Sequence, residues 1–227
     1  MKNFSILFLI IVSLCYSIED VYNIKLYGVN VAKCFIEIKD TTFKNSNCVK
    51  LKYKVNSTSI MKWFFNVSNE YETIIDKNTF DILYFNKNTT QPKINNQFET
   101  IEVNDSILYE NSHYSINHGE YNIFSLLYFL AVNENKDDVG EVILDREGKK
   151  YLCIIDFDVD TMTYKLKFNQ INKNEKGFIL NTDIFTWALF LENTIKTIKI
   201  DPIKNKVDYC KFKKGLMSFV AKRIKSD

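Results

Sequence analysis

The sequence predicts a mainly β domain: a curved antiparallel sheet, a half-barrel or barrel-like meander, wrapped around one short buried helix. Three observations carry this. Short runs of alternating apolar and polar residues recur along the chain. Clusters of Asn, Asp and Lys separate them, in a chain of 227 residues with only six glycines and two prolines. One segment, Ile123 to Val132, is apolar nearly all round. Alternation is the mark of a half-buried strand. Asn tolerates left-handed backbone better than most residues, so it makes turns where glycine is rare.

The chain opens with Lys2, the apolar run Phe4 to Leu14, and Cys15-Tyr16-Ser17. That is the order of a cleaved secretory signal peptide over residues 1–17, with the mature chain beginning near Ile18. The apolar run is short for a permanent bilayer helix, and nothing later reaches spanning length, so no transmembrane segment is expected in the mature chain. The expected location is periplasmic or secreted, in a bacterium. Lipoprotein anchoring at Cys15 is the alternative, which Leu14 disfavours because it is too large for the position before a lipidated cysteine. Residues 18–227 are expected to form a single β-rich domain.

Within that domain an extended run surrounds Gly28, from Ile24 to Ile38. Val49-Leu51-Tyr53-Val55 alternates with Lys50-Lys52-Lys54. Tyr71 to Ile75 and Phe80 to Phe85 flank a turn at Asp76-Lys77-Asn78-Thr79, which reads as a hairpin. Ile94 to Val103 is a further strand, and the polar stretch Asn104 to Glu120 reads as a long loop. Asn122 stands where an N-cap belongs, so Ile123 to Val132 reads as a helix. A helix apolar on every face needs cover on every side, which a curved sheet supplies. After it come Val142 to Leu144, a turn at Asp145 to Gly148, Tyr151 to Phe157, a turn near Asp160, and Tyr164 to Phe168. Phe178 to Leu180, Phe185 to Leu191, Ile195 to Ile200, Val207 to Phe212 and Leu216 to Ile224 complete the strands.

Charge is balanced, at +2 overall, with no basic stripe, which argues against a nucleic-acid partner. Cys34, Cys48, Cys153 and Cys210 allow two disulfides in an exported chain. Strand alternation opposes pairing: Cys34 shares a face with Ile36 and Ile38, and Cys48 with Lys50, Lys52 and Lys54. Three buried free thiols and one exposed thiol, Cys48, are expected.

No catalytic constellation stands out. His113 and His118 are five apart in a polar stretch, a spacing that does not align two ligands on a helix, so no metal site is expected. Asp156, Asp158 and Asp160 imitate the start of a calcium loop. Thr161 and Lys167 hold the positions where Gly and Glu belong, which leaves an acidic strand face entering a turn. No phosphate-cradling glycine loop, Gly-x-Ser-x-Gly elbow or cofactor motif is present. The sequons at Asn56, Asn66 and Asn88 follow from an Asn-rich composition. Two aromatic groups are more informative: Trp63-Phe64-Phe65, and Phe185, Trp187 and Phe190. Read as strands, they point to both faces. Trp63, Phe64, Phe65, Phe185 and Trp187 are therefore the candidate apolar binding surface.

The order of segments resembles a family. Gly28-Val29-Asn30-Val31-Ala32 is followed by Met61-Lys62-Trp63-Phe64-Phe65-Asn66-Val67, then by Tyr71 to Asp76 and Thr79 to Leu83. Asn122 to Leu130, Gly140 to Leu144, Gly177-Phe178-Ile179, Ile184 to Phe190 and Thr197 to Ile200 complete it. Together they resemble the bacterial exported family called domain of unknown function 3108 (DUF3108), over most of the mature chain. The segment Asp158 to Thr163 is shorter than the glycine-containing insert of that pattern, and Asn193-Thr194 replaces a charged turn. The resemblance implies an antiparallel β-rich domain in the bacterial envelope and brings no catalytic residue. Two functions are compatible with the sequence. One is non-enzymatic binding of a hydrophobic ligand or an envelope protein partner. The other is a hydrolase with dispersed acidic residues, which two carboxylates facing each other across a cleft would favour.

Overall fold

The computed structural model describes residues 19–103, 106–136 and 140–224. The proposed signal peptide, with Cys15, lies outside them. The described residues form one continuous sheet of 15 strands in two meanders. The first comprises β1 (Glu19–Leu26), β2 (Val29–Phe43), β3 (Ser46–Ser57), β4 (Ser68–Asp76), β5 (Ile82–Gln91), β6 (Ile94–Val103), β7 (Ser106–Tyr109) and β8 (Ser115–Ile116). The second comprises β9 (Glu120–Tyr121), β10 (Glu141–Arg146), β11 (Lys149–Asp158), β12 (Thr163–Gln170), β13 (Ile195–Asp201), β14 (Lys206–Lys214) and β15 (Met217–Arg223). Each meander pairs in chain order, and β1 joins β15 antiparallel, with Tyr22 opposite Arg223 and Leu26 opposite Phe219. Every pairing is antiparallel except β9 with β10. The sheet curls into a nearly closed, barrel-like wall.

Turn chemistry sets the registers. Tyr27 and Gly28 have φ of +52° and +83°, and Glu147 and Gly148 have +56° and +83°. Positive φ at both central residues is the turn that matches the twist of two flanking strands. The run around Gly28 is thus a hairpin, not one extended strand. At Gly148 a second constraint applies: a Cβ there would lie 2.7 Å from the Tyr114 ring. Asp76 Oδ1 accepts from the backbone N–H groups of Asn78 and Thr79 at 2.8 and 3.0 Å, which fixes the β4–β5 hairpin.

Helix α1 (Ile123–Val132) lies inside the wall, against β14, β13 and β10 on one side and β4 on another. Asn122 Oδ1 accepts from Ser125 N–H at 2.8 Å, and Ser125 Oγ accepts from Asn122 N–H at 3.1 Å. This reciprocal cap satisfies two N–H groups that a helix start leaves without partners. Asn122 Nδ2 also donates to Thr73 Oγ1 of β4 at 3.1 Å, which ties the helix start to the wall. Leu126 and Leu130, one turn apart, are fully buried, and Phe124 meets the rings of Tyr53, Tyr71 and Phe85.

Four expectations are corrected. Phe185 to Leu191 is not a strand: helix α2 (Ile184–Leu189) occupies it, because buried Asp183 accepts from the N–H groups of Phe185 and Thr186 as an N-cap. Trp63-Phe64-Phe65 is not a strand either; Met61–Trp63 is a single 3₁₀ turn on the β3–β4 loop. Phe178 to Leu180 has no strand partner and belongs to the segment 171–183. The stretch read as a long loop carries the short strands β7, β8 and β9.

The four described cysteines are free. Cys48 is buried, against the expectation, and Cys210 is the partly exposed thiol. On the outer face near Cys48, Ile74 is itself buried and the rings of Phe43 and Tyr84 lie 6.4 Å apart, so this end of the face is apolar.

Candidate functional site

A barrel of about eight strands is just wide enough for side chains to fill it, and width grows with strand number. Fifteen strands leave room, and the ten residues of α1 do not occupy all of it. A cavity of about 150 Å³ remains between α1 and the wall formed by β1, β2, β3, β14 and β15. Tyr22, Ile36, Tyr53, Leu127, Phe185 and Phe219 are among its lining residues, each placed inward by strand alternation or by a helix face. Its polar lining includes Asp20, Asn205 and Lys206, and Lys206 Nζ lies 2.5 Å from Asp20 Oδ2. Tyr22 donates its hydroxyl hydrogen to Val207 O at 2.6 Å, so the phenol has a partner. Cys34 and Cys210 line the cavity as neutral thiols, since burial pushes both up to about 12. A thiol held that high is no nucleophile and behaves as a small apolar group. The lining is therefore largely apolar, with both thiols in their neutral form.

Two clusters of buried charge lie at the seam where β6, β7 and β8 approach β9, β10 and β11, and Tyr71, which also lines the cavity, belongs to one of them. Tyr109 donates to Asp145 Oδ1, and Lys150 Nζ lies 3.0 Å from Asp145 Oδ2 and bonds Glu120. Lys150 Nζ also donates to Ser115 O of β8 at 2.5 Å. Burial raises Asp145 to about 6, against the pull of Lys150 and the Tyr109 hydroxyl. A second cluster is centred on Lys87 of β5, which bonds Glu147, donates to Thr182 Oγ1 at 3.1 Å and sits 2.6 Å from Asp183. Tyr71 donates to Asp183 Oδ1 at 2.8 Å. Burial opposes the Lys87 charge, but the two carboxylates outweigh it and hold its pKa above the ordinary value. Burial likewise opposes the Asp183 charge, and Lys87 outweighs it and holds Asp183 low. The segment 171–183 crosses the same seam: Phe178 stacks on Tyr109 at 5.5 Å and Asn181 O accepts from Asn96 Nδ2 at 2.9 Å. Side chains and this strap close the wall where ladder hydrogen bonds stop.

Lys196 of β13 is buried without a carboxylate. It donates to Leu191 O and Thr194 O at 3.1 and 3.2 Å and lies over the Phe168 ring, and burial lowers its pKa to about 8.

The residues singled out in the sequence separate. Phe185 lines the cavity, Trp187 is half exposed on the outer side of α2, and Trp63 and Phe64 stand in solvent on the β3–β4 loop, with Phe65 partly buried beside them. His118 Nδ1 lies 3.3 Å from Asp81 Oδ2, and the His113 ring rests on Tyr114 at 4.3 Å. Asp158 accepts from Thr161 N–H at 3.1 Å, which closes the turn after β11. No group of three or more metal-binding side chains occurs among the described residues. The lining that sequence reasoning missed, Tyr22, Ile36, Tyr53 and Leu127, carries only the signal of any core: alternation and helical spacing. The seam residues Lys87, Glu147 and Asp183 carry none, since a charged residue in a strand or turn normally faces water.

Comparison with known proteins places the fold. No family model matches the chain, and no curated protein does. The chain is similar in structure to the beta-barrel-like protein of domain of unknown function DUF1849 from Brucella abortus. The two share 8% identity at a TM-score of 0.51, over 91% of this chain and 95% of that one. This likeness concerns the fold alone. The resemblance to the DUF3108 family rests on the sequence segments quoted above.

Proposed function

We propose that this is an exported bacterial envelope protein that holds a small or slender apolar ligand in the cavity between α1 and the barrel wall, without transforming it. The observation that carries the proposal is the cavity itself. Apolar cavities of about 150 Å³ stay dry and take up small apolar molecules such as benzene. Pockets for drug-sized ligands run to roughly 300–1,000 Å³, so the ligand is small, or enters as part of a longer chain. The first 17 residues support export. Among the described residues the only carboxylate on the cavity lining is Asp20, and it is held by Lys206. A hydrolase with dispersed acids needs two carboxylates facing each other in a cleft. The buried carboxylates of this fold are instead engaged by Lys87 and Lys150 at the seam.

The test titrates toluene, an apolar molecule of the size such a cavity admits, into the protein and follows its heat of binding. The wild-type protein should bind it saturably, and Ile36→Trp, which fills the cavity, should weaken binding at least tenfold while the melting transition is kept. Undiminished binding in a folded Ile36→Trp variant would place the toluene elsewhere. No saturable binding to the wild type would remove the cavity from the functional account.

A further inference from the structure

Large apolar residues stand in water at one end of the barrel. Trp63 is 89% exposed, Phe64 81%, Ile60 75% and Leu216 92%. They lie on segments distant in sequence, 58–67 and 213–216, with the exposed Tyr27 and Val29 on the β1–β2 hairpin between. Strand order makes them neighbours: β3, β2, β1, β15 and β14 are consecutive in the sheet, and their connections turn back at this same end. Backbone hydrogen bonds tie them together. Thr58 N–H donates to Val31 O at 3.0 Å, and Tyr27 N–H donates to Ser218 O at 3.1 Å. Three adjacent loops thus present one apolar rim.

The charge of this rim has a single sign. Residues 26–30, 58–67 and 213–216 contain three lysines, Lys62, Lys213 and Lys214, and no Asp or Glu. Elsewhere on the chain lysines and acids are interspersed, and on the outer wall beside this rim Lys52 and Lys54 pair with Glu70. A soluble surface gains nothing from exposed tryptophan and phenylalanine flanked by lysines on loops that carry no acid. The same arrangement suits the boundary of an anionic bilayer. Tryptophan places its ring at headgroup level, bulky apolar tips reach the acyl region, and lysines extend to the phosphates.

We infer that the rim formed by the loops 26–30, 58–67 and 213–216 docks the protein on an anionic lipid surface, with Trp63 and Phe64 entering the bilayer and Lys62, Lys213 and Lys214 meeting the phosphates. A protein partner with an acidic, apolar face is the other occupant, and the experiment separates the two. This inference stands apart from the cavity proposal, since no rim residue named in it lines the cavity.

The experiment follows Trp63 fluorescence. Trp187→Phe removes the other tryptophan, and vesicles of phosphatidylcholine, alone or with phosphatidylglycerol, are added to the folded protein as isolated from cells that make it. Vesicles containing phosphatidylglycerol should shift the emission to the blue, and lipids brominated on their acyl chains should quench it. Phosphatidylcholine alone should do so at least tenfold more weakly, and raised salt should reverse the effect. Replacing Lys62, Lys213 and Lys214 together by Ala should bring the anionic response down to the phosphatidylcholine level. Because the signal comes from Trp63 itself, membrane association through any other segment does not imitate it. Unshifted, unquenched Trp63 emission with anionic vesicles overturns the inference. So does equal quenching with both vesicle types, or a wild-type protein that dimerises through the rim and becomes monomeric in the Trp63→Ser/Phe64→Ser variant. Every residue replaced in these two variants is exposed, so their melting transitions should match the wild type and serve as the folding control.

Discussion

Lys87 Nζ stands 2.6 Å from Asp183 Oδ2 with 1% of one side chain and none of the other exposed to solvent. A lysine of strand β5 and the N-cap of helix α2 are thereby joined inside the barrel, 96 positions apart in the numbering. Removing one member of such a pair leaves the other charge buried and uncompensated, which costs about 3–5 kcal/mol. Lys87→Met should therefore lose that much in urea denaturation, because it strands both Asp183 and Glu147. A Lys87→Met loss under about 1 kcal/mol would mean that water reaches the cluster.

Asp145 gives the stability a pH dependence of defined sign. Its carboxyl is raised by burial to about 6 from an ordinary 3.8, so the native state holds the proton after the unfolded chain has released it. Stability from this group is complete below about pH 4 and falls as pH rises to about 6. One pKa unit corresponds to about 1.4 kcal/mol, so the loss across that window is about 3 kcal/mol. Asp145→Asn lacks the titration. The difference in unfolding free energy between wild type and variant should change by that amount from about pH 3 to about pH 7, and a flat difference would refute it.

Leu126 tests the helix as core. Leu126→Ala should cost about 2–5 kcal/mol in denaturant melts, the range for a fully buried leucine. Lys136, just past the helix, looks like a plain surface residue in the sequence. In the structure its Nζ donates to Asn133 O at 2.9 Å and to Ala131 O at 3.3 Å, closing the helix end. Lys136→Ala should therefore cost about 0.5–1 kcal/mol, as for a lost hydrogen bond, and not the near-zero change of a free surface site. Equal losses in the two variants would contradict this account of α1.

Thiol chemistry reads both burial and processing. Burial pushes Cys34, Cys153 and Cys210 up to about 12 and raises Cys48 above its ordinary value, so the native protein should react with Ellman's reagent at pH 8 only over hours. In guanidinium the count depends on the N-terminus: of the five cysteines in the sequence, Cys15 alone falls in residues 1–17. Four titratable thiols in protein from its native source would accord with cleavage near Ile18, and five with retention.

Most of the long strands and helix α1 were legible because each has a local cause. Alternation marks β3, Asp76 marks the β4–β5 hairpin, and Asn122 with Ser125 marks the helix start. Helix α2 was not legible, since aromatic and β-branched residues from Ile184 to Trp187 read as strand, and Asp183 is a cap only once the fold buries it. Lys87 alternates with Phe85 and Thr89 on the inward face, where a sequence pattern expects an apolar residue. What made Lys87 tolerable is Glu147 and Asp183, and no local rule brings them together. The cavity was illegible for a related reason: its lining is ordinary core, and the unfilled volume follows from how many strands the wall has.

The pairing of β1 with β15 bears on how the chain is made. A protein emerging N-terminus first can complete the meander from β1 to β8 long before the last strand exists. Until then one side of β1 is an exposed row of N–H and C=O groups, a template for wrong partners. About 200 residues separate Tyr22 from its partner Arg223, and pairings so distant in sequence form slowly. Its growing chains are thus most vulnerable to aggregation late in synthesis, and a helper that occupies the β1 edge would aid this protein more than one that shields α1.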